Sequence, residues 1–351
     1  MNVRMKKIVN TLGIPRLIII GLLIVILIAM PILGLQIEML YTQAFGRIGM
    51  YMVLVLAMVP AIESGIKMNM ALPLGILCGL VGSVISLEAG ASGWTGLFSA
   101  MLISVPIAAV VGILYGMILN KIKGSEMMIA TYSGYTAVAV MCIAWMAFPI
   151  KNAEIRWPQG NGVRSIVSLT GKYEKILDHF LEIRITDELV FPTGLFLFVG
   201  LMCFLVWLFM RSKLGIIMKT AGANPAFANA TGINVDRMRI LGMMLSTILG
   251  AIGIIVYAQS YGFFQYYMAP LNMAFIAVAA ILIGGATVNR AGIFNVILGI
   301  ILYQSIMTFT LPIANVIMPE GSLSEIVRII IQNGIILYAL TKAGESRLTN
   351  R

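Results

Sequence analysis

The chain alternates between long apolar runs and short polar breaks. Apolar runs fall at about Leu17–Leu35, Ile48–Ala61, Ala71–Leu87, Leu97–Leu119 and Met127–Phe148. A polar stretch, Lys151–Leu189, follows, and then five more runs at about Phe191–Met210, Met238–Tyr257, Ala269–Gly285, Gly292–Leu311 and Ile326–Leu340. A helix that crosses a hydrocarbon core of about 30 Å needs about 20 apolar residues, so the pattern predicts about ten transmembrane helices. The segment Ile48–Leu87 is interrupted and leaves that number open by about one. The first run follows the basic residues Arg4, Lys6, Lys7 and Arg16, and no small-residue cleavage site comes after it, so an uncleaved span is expected rather than a signal peptide.

Composition narrows the class further. Apolar residues make up 60% and charged residues 11% of the 351 residues, with a mean hydropathy of +0.98. A soluble domain is about 25% charged; a soluble fold, a disordered chain, a collagen-like fibre and a nucleic-acid module are all excluded by this arithmetic. The formal charge of +10 reads as topology information, because Lys and Arg collect in cytoplasmic loops. Lys67, Lys121, Lys123, Arg211, Lys213, Lys219, Arg237, Arg239 and Arg290 fall on the same side as the N-terminus, with Lys342, Arg347 and Arg351 in the tail. The opposite short loops hold only Arg47, with Arg328 at the start of a helix. Both termini are therefore expected in the cytoplasm. Cys78, Cys142 and Cys203 lie in apolar runs and His179 is the sole histidine, so neither a disulfide framework nor a metal or His-based catalytic site is indicated.

The expected fold is an all-α polytopic membrane protein forming one permease-sized domain over residues 1–351. Its first helical half would cover 1–150, an extracytoplasmic loop 151–190, and its second half 191–343, with a cytoplasmic loop at 212–237. Two similar units of odd helix number joined in series must insert with opposite orientation, so a 5+5 inverted repeat is the expected plan. Small residues at Gly75/Gly79, Gly112/Gly116, Ser246/Gly250 and Gly284-Gly285 predict close helix packing. The run Pro60–Asn69 breaks the apolar pattern with Glu63, Lys67 and Asn69. Glu63 and Lys67 are four apart and would pair on one helix face. Two readings stay open, a cytoplasmic turn with an exposed charge pair and a broken helix lining a path. Asn272, Gln304 and Asn333 join Glu63, Lys67 and Asn69 as candidates for a polar translocation path. The balanced loop Lys151–Leu189, six basic and six acidic, is read either as a solvated loop or as a recognition surface through Arg156, Trp157, Arg164 and Tyr173.

The loop between the sixth and seventh runs has the grammar of a short isolated helix. Asn224 suits the N-cap and Pro225 the first helical position. Ala226 to Ala230 favour about two turns, and Gly232 suits the left-handed residue past the end. Such a stub needs a surface to pack on, and Phe227 gives it an apolar knob. This segment, Ala221-Gly222-Ala223-Asn224-Pro225 through Gly232-Ile233-Asn234-Val235, resembles the coupling segment of the ABC-importer permeases that serve ribose and other simple sugars, nucleosides and branched-chain amino acids. The resemblance extends to Ile276–Thr287, to Arg290-Ala291-Gly292-Ile293-Phe294-Asn295, to Ile330–Leu337, and to Gly65–Asn69 in place of a Gly-Ile-Asp-Leu-Ser-like turn. Lys123–Glu126 stands where nucleoside permeases carry a polar turn.

The resemblance implies a transport subunit and not an enzyme. It implies pairing with a second permease of the same or a sister chain, two cytoplasmic ATPases that bind ATP and Mg, and an extracytoplasmic binding protein, in a bacterial inner membrane. It puts Gly222, Asn224, Pro225, Phe227, Ala228 and Gly232 at the ATPase-coupling helix. The chain departs from the family at Phe227, where alanine is usual, and at Asn229, where a basic residue is common. No phosphate-binding Gly-x-x-x-x-Gly-Lys-Ser/Thr loop occurs, since Gly171-Lys172 has Ile166 where the first glycine belongs. No cofactor is therefore expected in this chain. A nearly neutral lumen suits an uncharged polar solute such as a nucleoside or sugar. The alternative is an ion-coupled secondary transporter, which needs a carboxylate inside the bundle, and Glu63 is the sole candidate.

Overall fold

A computed structural model describes residues 14–317 apart from 123 and 159, together with 326, 329–331, 333, 334 and 337. The chain is mostly helical: α1 (Ile14–Ile32), α2 (Ile37–Leu56), α3 (Met58–Glu63), α4 (Leu72–Glu88), α5 (Gly93–Lys121) and α6 (Glu126–Ala147) come first. Then follow β1 (Ile166–Ser168), α7 (Ile176–His179), β2 (Ile183–Arg184), β3 (Val190–Phe191), α8 (Thr193–Arg211), α9 (Lys213–Ala223), α10 (Pro225–Ala230), α11 (Val235–Tyr261), β4 (Phe263–Gln265), α12 (Ala269–Ile283) and α13 (Ile293–Ile317). Six helical stretches are long and apolar enough to cross a membrane: 37–63 (α2 continued by α3), α5, α6, α8, α11 and α13. Leu17–Ile32, α4 and α12 are shorter apolar helices. The predicted span Ile326–Leu340 falls mostly outside the described residues.

The second span starts at Ile37, well before the predicted Ile48. Glu38, Thr42 and Arg47 dilute its hydropathy, which hid the first turns. The polar groups of those turns are satisfied by the polar stretch before α8. The Thr42 hydroxyl donates to the Glu188 carbonyl oxygen at 2.8 Å and accepts from the Val190 N–H at 3.0 Å. Arg47 is therefore a residue of helix α2, not of a loop.

Helix α11 is the axis of the bundle, and glycines let its neighbours approach it. A methyl group at Gly75 or Gly79 of α4 would sit 2.6 Å from the Thr247 oxygen or 2.4 Å from the Ala251 oxygen. On α5, methyls at Gly112 and Gly116 would meet the Met244 and Ile240 Cα atoms at 2.7 and 2.9 Å. Backbone-to-backbone contact of this kind is the packing mode of helices in lipid, where hydrophobic exclusion gives no drive. The small-residue motifs are packing seams.

The polar stretch is a folded segment with a buried apolar side and a largely exposed remainder. Strand β1 pairs antiparallel with β4, Val167 opposite Phe264, and Ile155, Val163, Val167, Leu169, Tyr173 and Leu177 are buried beneath it. The Asp178 carboxylate accepts from Gln259 and Ser260 at the end of α11, at 2.8 and 2.7 Å. Tyr173 is fully buried, which removes it as a recognition residue, whereas Arg156 and Trp157 are exposed and Arg164 half-buried. Hydropathy averages missed this because the buried positions alternate with polar ones.

Candidate functional site

The loop after α8 folds into a chain of self-capped elements. Ser212 opens α9, its hydroxyl accepting from the Gly215 N–H at 3.2 Å. Asn224 caps α10, its side-chain oxygen accepting from the Phe227 N–H at 3.0 Å, with Pro225 at the first position. The stub ends as predicted: Gly232 takes φ +81°, and the Ile233 N–H returns to the Ala228 carbonyl at 2.9 Å. Asn234 then caps α11, accepting from the Arg237 N–H at 3.0 Å. Inside the stub, Ala228 is fully buried in a small apolar cluster with Ala221 and Val235. Phe227 points the other way and is 55% exposed. The arrangement is a rigid platform that projects one aromatic ring.

Gly222 locks the platform to the first half of the chain. A methyl group there would lie 2.2 Å from the Glu63 carbonyl oxygen and 2.7 Å from the Gly65 nitrogen, so α9 crosses the end of α3 with no room for any side chain. Gly65 itself adopts φ +84° and stands 3.0 Å from Gly222 by the same measure. On the opposite side, a methyl at Gly242 of α11 would clash with the Ser64 side chain at 2.3 Å. The turn Ser64-Gly65 is thus wedged between α9 and α11. A cavity of about 490 Å³ opens beside it, lined in part by Ser64, Gly65, Asn229, Asp236 and Arg239.

The interruption at Pro60–Asn69 is a buried turn, and Glu63 and Lys67 do not pair. The helix ends at Glu63, and Gly65 and Lys67 (φ +67°) both go left-handed, which points the two side chains to different partners. The Glu63 carboxylate accepts from the Ala291 N–H at 2.8 Å. Lys67 reaches Glu126 at 3.3 Å, and Arg239 of α11 reaches the other oxygen of Glu126 at 2.9 Å. Glu126 and Arg239 are nearly sealed from solvent, at 6% and 7% side-chain exposure. One carboxylate therefore joins three elements directly behind the capped loop. Buried charges persist where they are paired. Glu126 and Arg239 carry no sequence signal for this role beyond standing at the very start of apolar runs, Glu126 one residue before Met127 and Arg239 one after Met238.

The remaining path candidates separate. Asn69 is a clamp: its amide donates to the Ser246 hydroxyl at 2.9 Å and accepts from the Ala71 N–H at 3.0 Å, with no exposure to a lumen. Asn272 and Asn333 are exposed. Gln304 lines a cavity of about 160 Å³ between α2, α11, α12 and α13 at the far end of α11. Its other walls include Arg47, Tyr51, Tyr257, Tyr261 and Tyr303. The rings of Tyr257 and Tyr261 stack at 5.2 Å, and Tyr51 meets Tyr257 edge-on at 5.0 Å. Arg47 puts a positive charge in this wall. No three His, Cys, Asp or Glu side chains converge to hold a metal ion among the described residues.

The segments that carry the family resemblance, Gly65–Asn69, Ala221–Val235 and Arg290–Asn295, thus meet at one end of the bundle. The family described as branched-chain amino acid transport system, permease component, matches residues 7–337. The chain belongs to it. This permease is 31% identical over 84 residues to the guanosine ABC transporter permease protein NupQ of Bacillus subtilis, covering 24% of the chain and 26% of that relative. It is 30% identical over 144 residues to the tyrosine transport system permease protein of Clostridioides difficile, covering 41% and 48%. To the xylose/arabinose import permease protein XylH of Sulfolobus acidocaldarius it is 26% identical over 157 residues, covering 44% and 37%. The chain spans between about a quarter and a half of the length of the curated relatives it matches. No solved structure matches. The permease is a multi-pass membrane protein.

Proposed function

We propose that this permease is the membrane subunit of an ATP-driven importer that carries a small polar solute, a nucleoside or a simple sugar, into a bacterial cytoplasm. It pairs with a second permease, its own copy or a sister chain, in a ten-helix, two-half plan with both termini cytoplasmic. Two ABC ATPase subunits bind ATP and Mg and grip the α10 stub, and an extracytoplasmic binding protein delivers the solute. The observation that carries the reading is the exposed Phe227 on a platform whose interior is closed by its own caps. A groove slightly larger than one built for alanine is the matching surface on the ATPase. Closure of the ATPases would move the stub, and the Gly222–Gly65 crossing would pass that motion to the end of α3 without slack.

The match to a permease family and the guanosine, tyrosine and xylose/arabinose permeases among its relatives support the importer class. The secondary-carrier alternative rested on Glu63, and that carboxylate is engaged with the Ala291 N–H at the coupling end. Affinity purification from native membranes into nanodiscs tests the proposal. ATPase subunits at near-equal amount, lost in Phe227→Asp, with hydrolysis stimulated by a binding protein, are the expected result. A permease that purifies alone, or a Phe227→Asp variant that keeps its ATPase, overturns it.

A further inference from the structure

We infer that the cavity at the far end of α11 is a solute station, and that it takes a flat ring bearing two adjacent hydrogen-bond acceptors. Arg47 supplies the first argument. It lies on the third turn of a helix long and apolar enough to cross the membrane, where a charge is costly and marks a substrate or ion path by default. Among the described residues no carboxylate lies within ion-pair distance of it, unlike Lys67 and Arg239 at the coupling end. A guanidinium presents a planar fork suited to two acceptors side by side.

Gln304 supplies the second. It is only 3% exposed and lines the same cavity, together with Arg47 and the tyrosines. An amide on a cavity wall offers both N–H donors and a carbonyl acceptor to an occupant. The walls supply the third argument. Tyr257 and Tyr261 form a stacked pair with Tyr51 across one face, an aromatic surface on which a flat ring stacks. The volume of about 160 Å³ is close to the roughly 150 Å³ that accommodates a benzene-sized ring, and well below the roughly 300–1,000 Å³ of a pocket for a whole drug-sized ligand. One ring therefore enters, and the rest of the solute leaves past Tyr261, which is 43% exposed at the rim.

This deepens the importer reading and rests on it for the direction of transport, but binding is measured without the partners. The permease in lipid nanodiscs is examined by saturation-transfer NMR with three probes at millimolar concentration. Inosine has a flat ring system whose carbonyl oxygen and N7 are adjacent acceptors; L-phenylalanine has a flat ring and a separate carboxylate; D-ribose has no flat ring and only hydroxyl and ring-ether oxygens. Inosine or L-phenylalanine binds and D-ribose does not; which of the two binds separates a ring-edge acceptor pair from a carboxylate. Arg47→Lys, which keeps charge and loses the fork, weakens that binding about tenfold, in line with one bidentate contact. Gln304→Leu weakens it less, and both variants keep the wild-type melting temperature within a few degrees. Binding of D-ribose alone, no binding of either ring probe to the folded permease, or ring-probe binding unchanged in Arg47→Lys and Arg47→Met overturns the station. ATPase co-purification is read on the same samples, so a failed importer assignment and a failed station are scored separately.

Discussion

The two ends of α11 carry two kinds of site, and they differ in how far apart in the chain their parts lie. The capped platform is local: Ser212, Asn224 and Asn234 each cap a helix by bonding a residue three positions on, and Gly232 ends the stub within one turn. The far cavity is assembled from Arg47, Tyr51, Tyr257, Tyr261, Tyr303 and Gln304, drawn from three helices distant in sequence. Local sites are written in capping and turn chemistry. Assembled sites are written in packing. The Glu126 cluster sits behind the capped platform yet behaves like the far cavity, since it joins positions 67, 126 and 239.

That contrast predicts a ranking of variants. The largest effect falls on Glu126→Ala, which leaves Arg239 and Lys67 without their shared carboxylate; removing one partner of a buried pair costs about 3–5 kcal/mol. Its folded yield in membranes drops sharply, and wild-type yield would show that the cluster is solvated. Gly222→Val comes next, because the crossing with Glu63 has no space; overpacking costs about 1–3 kcal/mol, and uptake falls with it. A thermal unfolding scan and an uptake assay read both. Gly232→Val strains a left-handed position by about 1–2 kcal/mol, and Asn224→Ala removes a cap worth about 1 kcal/mol. Since each acts locally, their effects add to those of Arg47→Met within about 0.5 kcal/mol; a larger coupling would break the separation of the two ends. The smallest effect on stability is at Phe227→Ala, within about 0.5 kcal/mol of wild type as for other surface changes. ATPase stimulation nonetheless falls, and unchanged stimulation would sharpen the contrast by moving docking to the polar faces of the stub.

The same distinction explains what the sequence allowed one to read. Periodic apolar runs located nine of the described helices, and Asn224, Pro225 and Gly232 located the stub to the residue, because each signal is complete within a few positions. The start of α2 was missed where Glu38, Thr42 and Arg47 lowered the hydropathy of a helix whose polar groups find partners in a distant strand. The charge pair Glu63–Lys67 looked local but was divided by two left-handed residues. Asn69 looked like a lining residue and proved a clamp, because only a neighbour at position 246 reveals it. Of the six path candidates, Gln304 faces a described cavity, and Arg47 beside it read from the sequence as the charge of a short loop, because its place on a helix shows only in the fold.

Helix α11 has one more consequence. Its 27 residues make a rod of about 40 Å at 1.5 Å per residue. The rod begins at the Asn234 cap beside the stub and ends at Gly262, next to the strand pairing that holds the polar stretch. A hydrogen-bonded helix does not lengthen, so a displacement at its first turn emerges at Tyr257 and Tyr261 as a tilt, with the glycine contacts to α4 and α5 as the pivot. The stroke at the far tyrosines is then set by where along the rod those glycines fall, and moving the seam by one turn would change the gearing of the permease without touching either end.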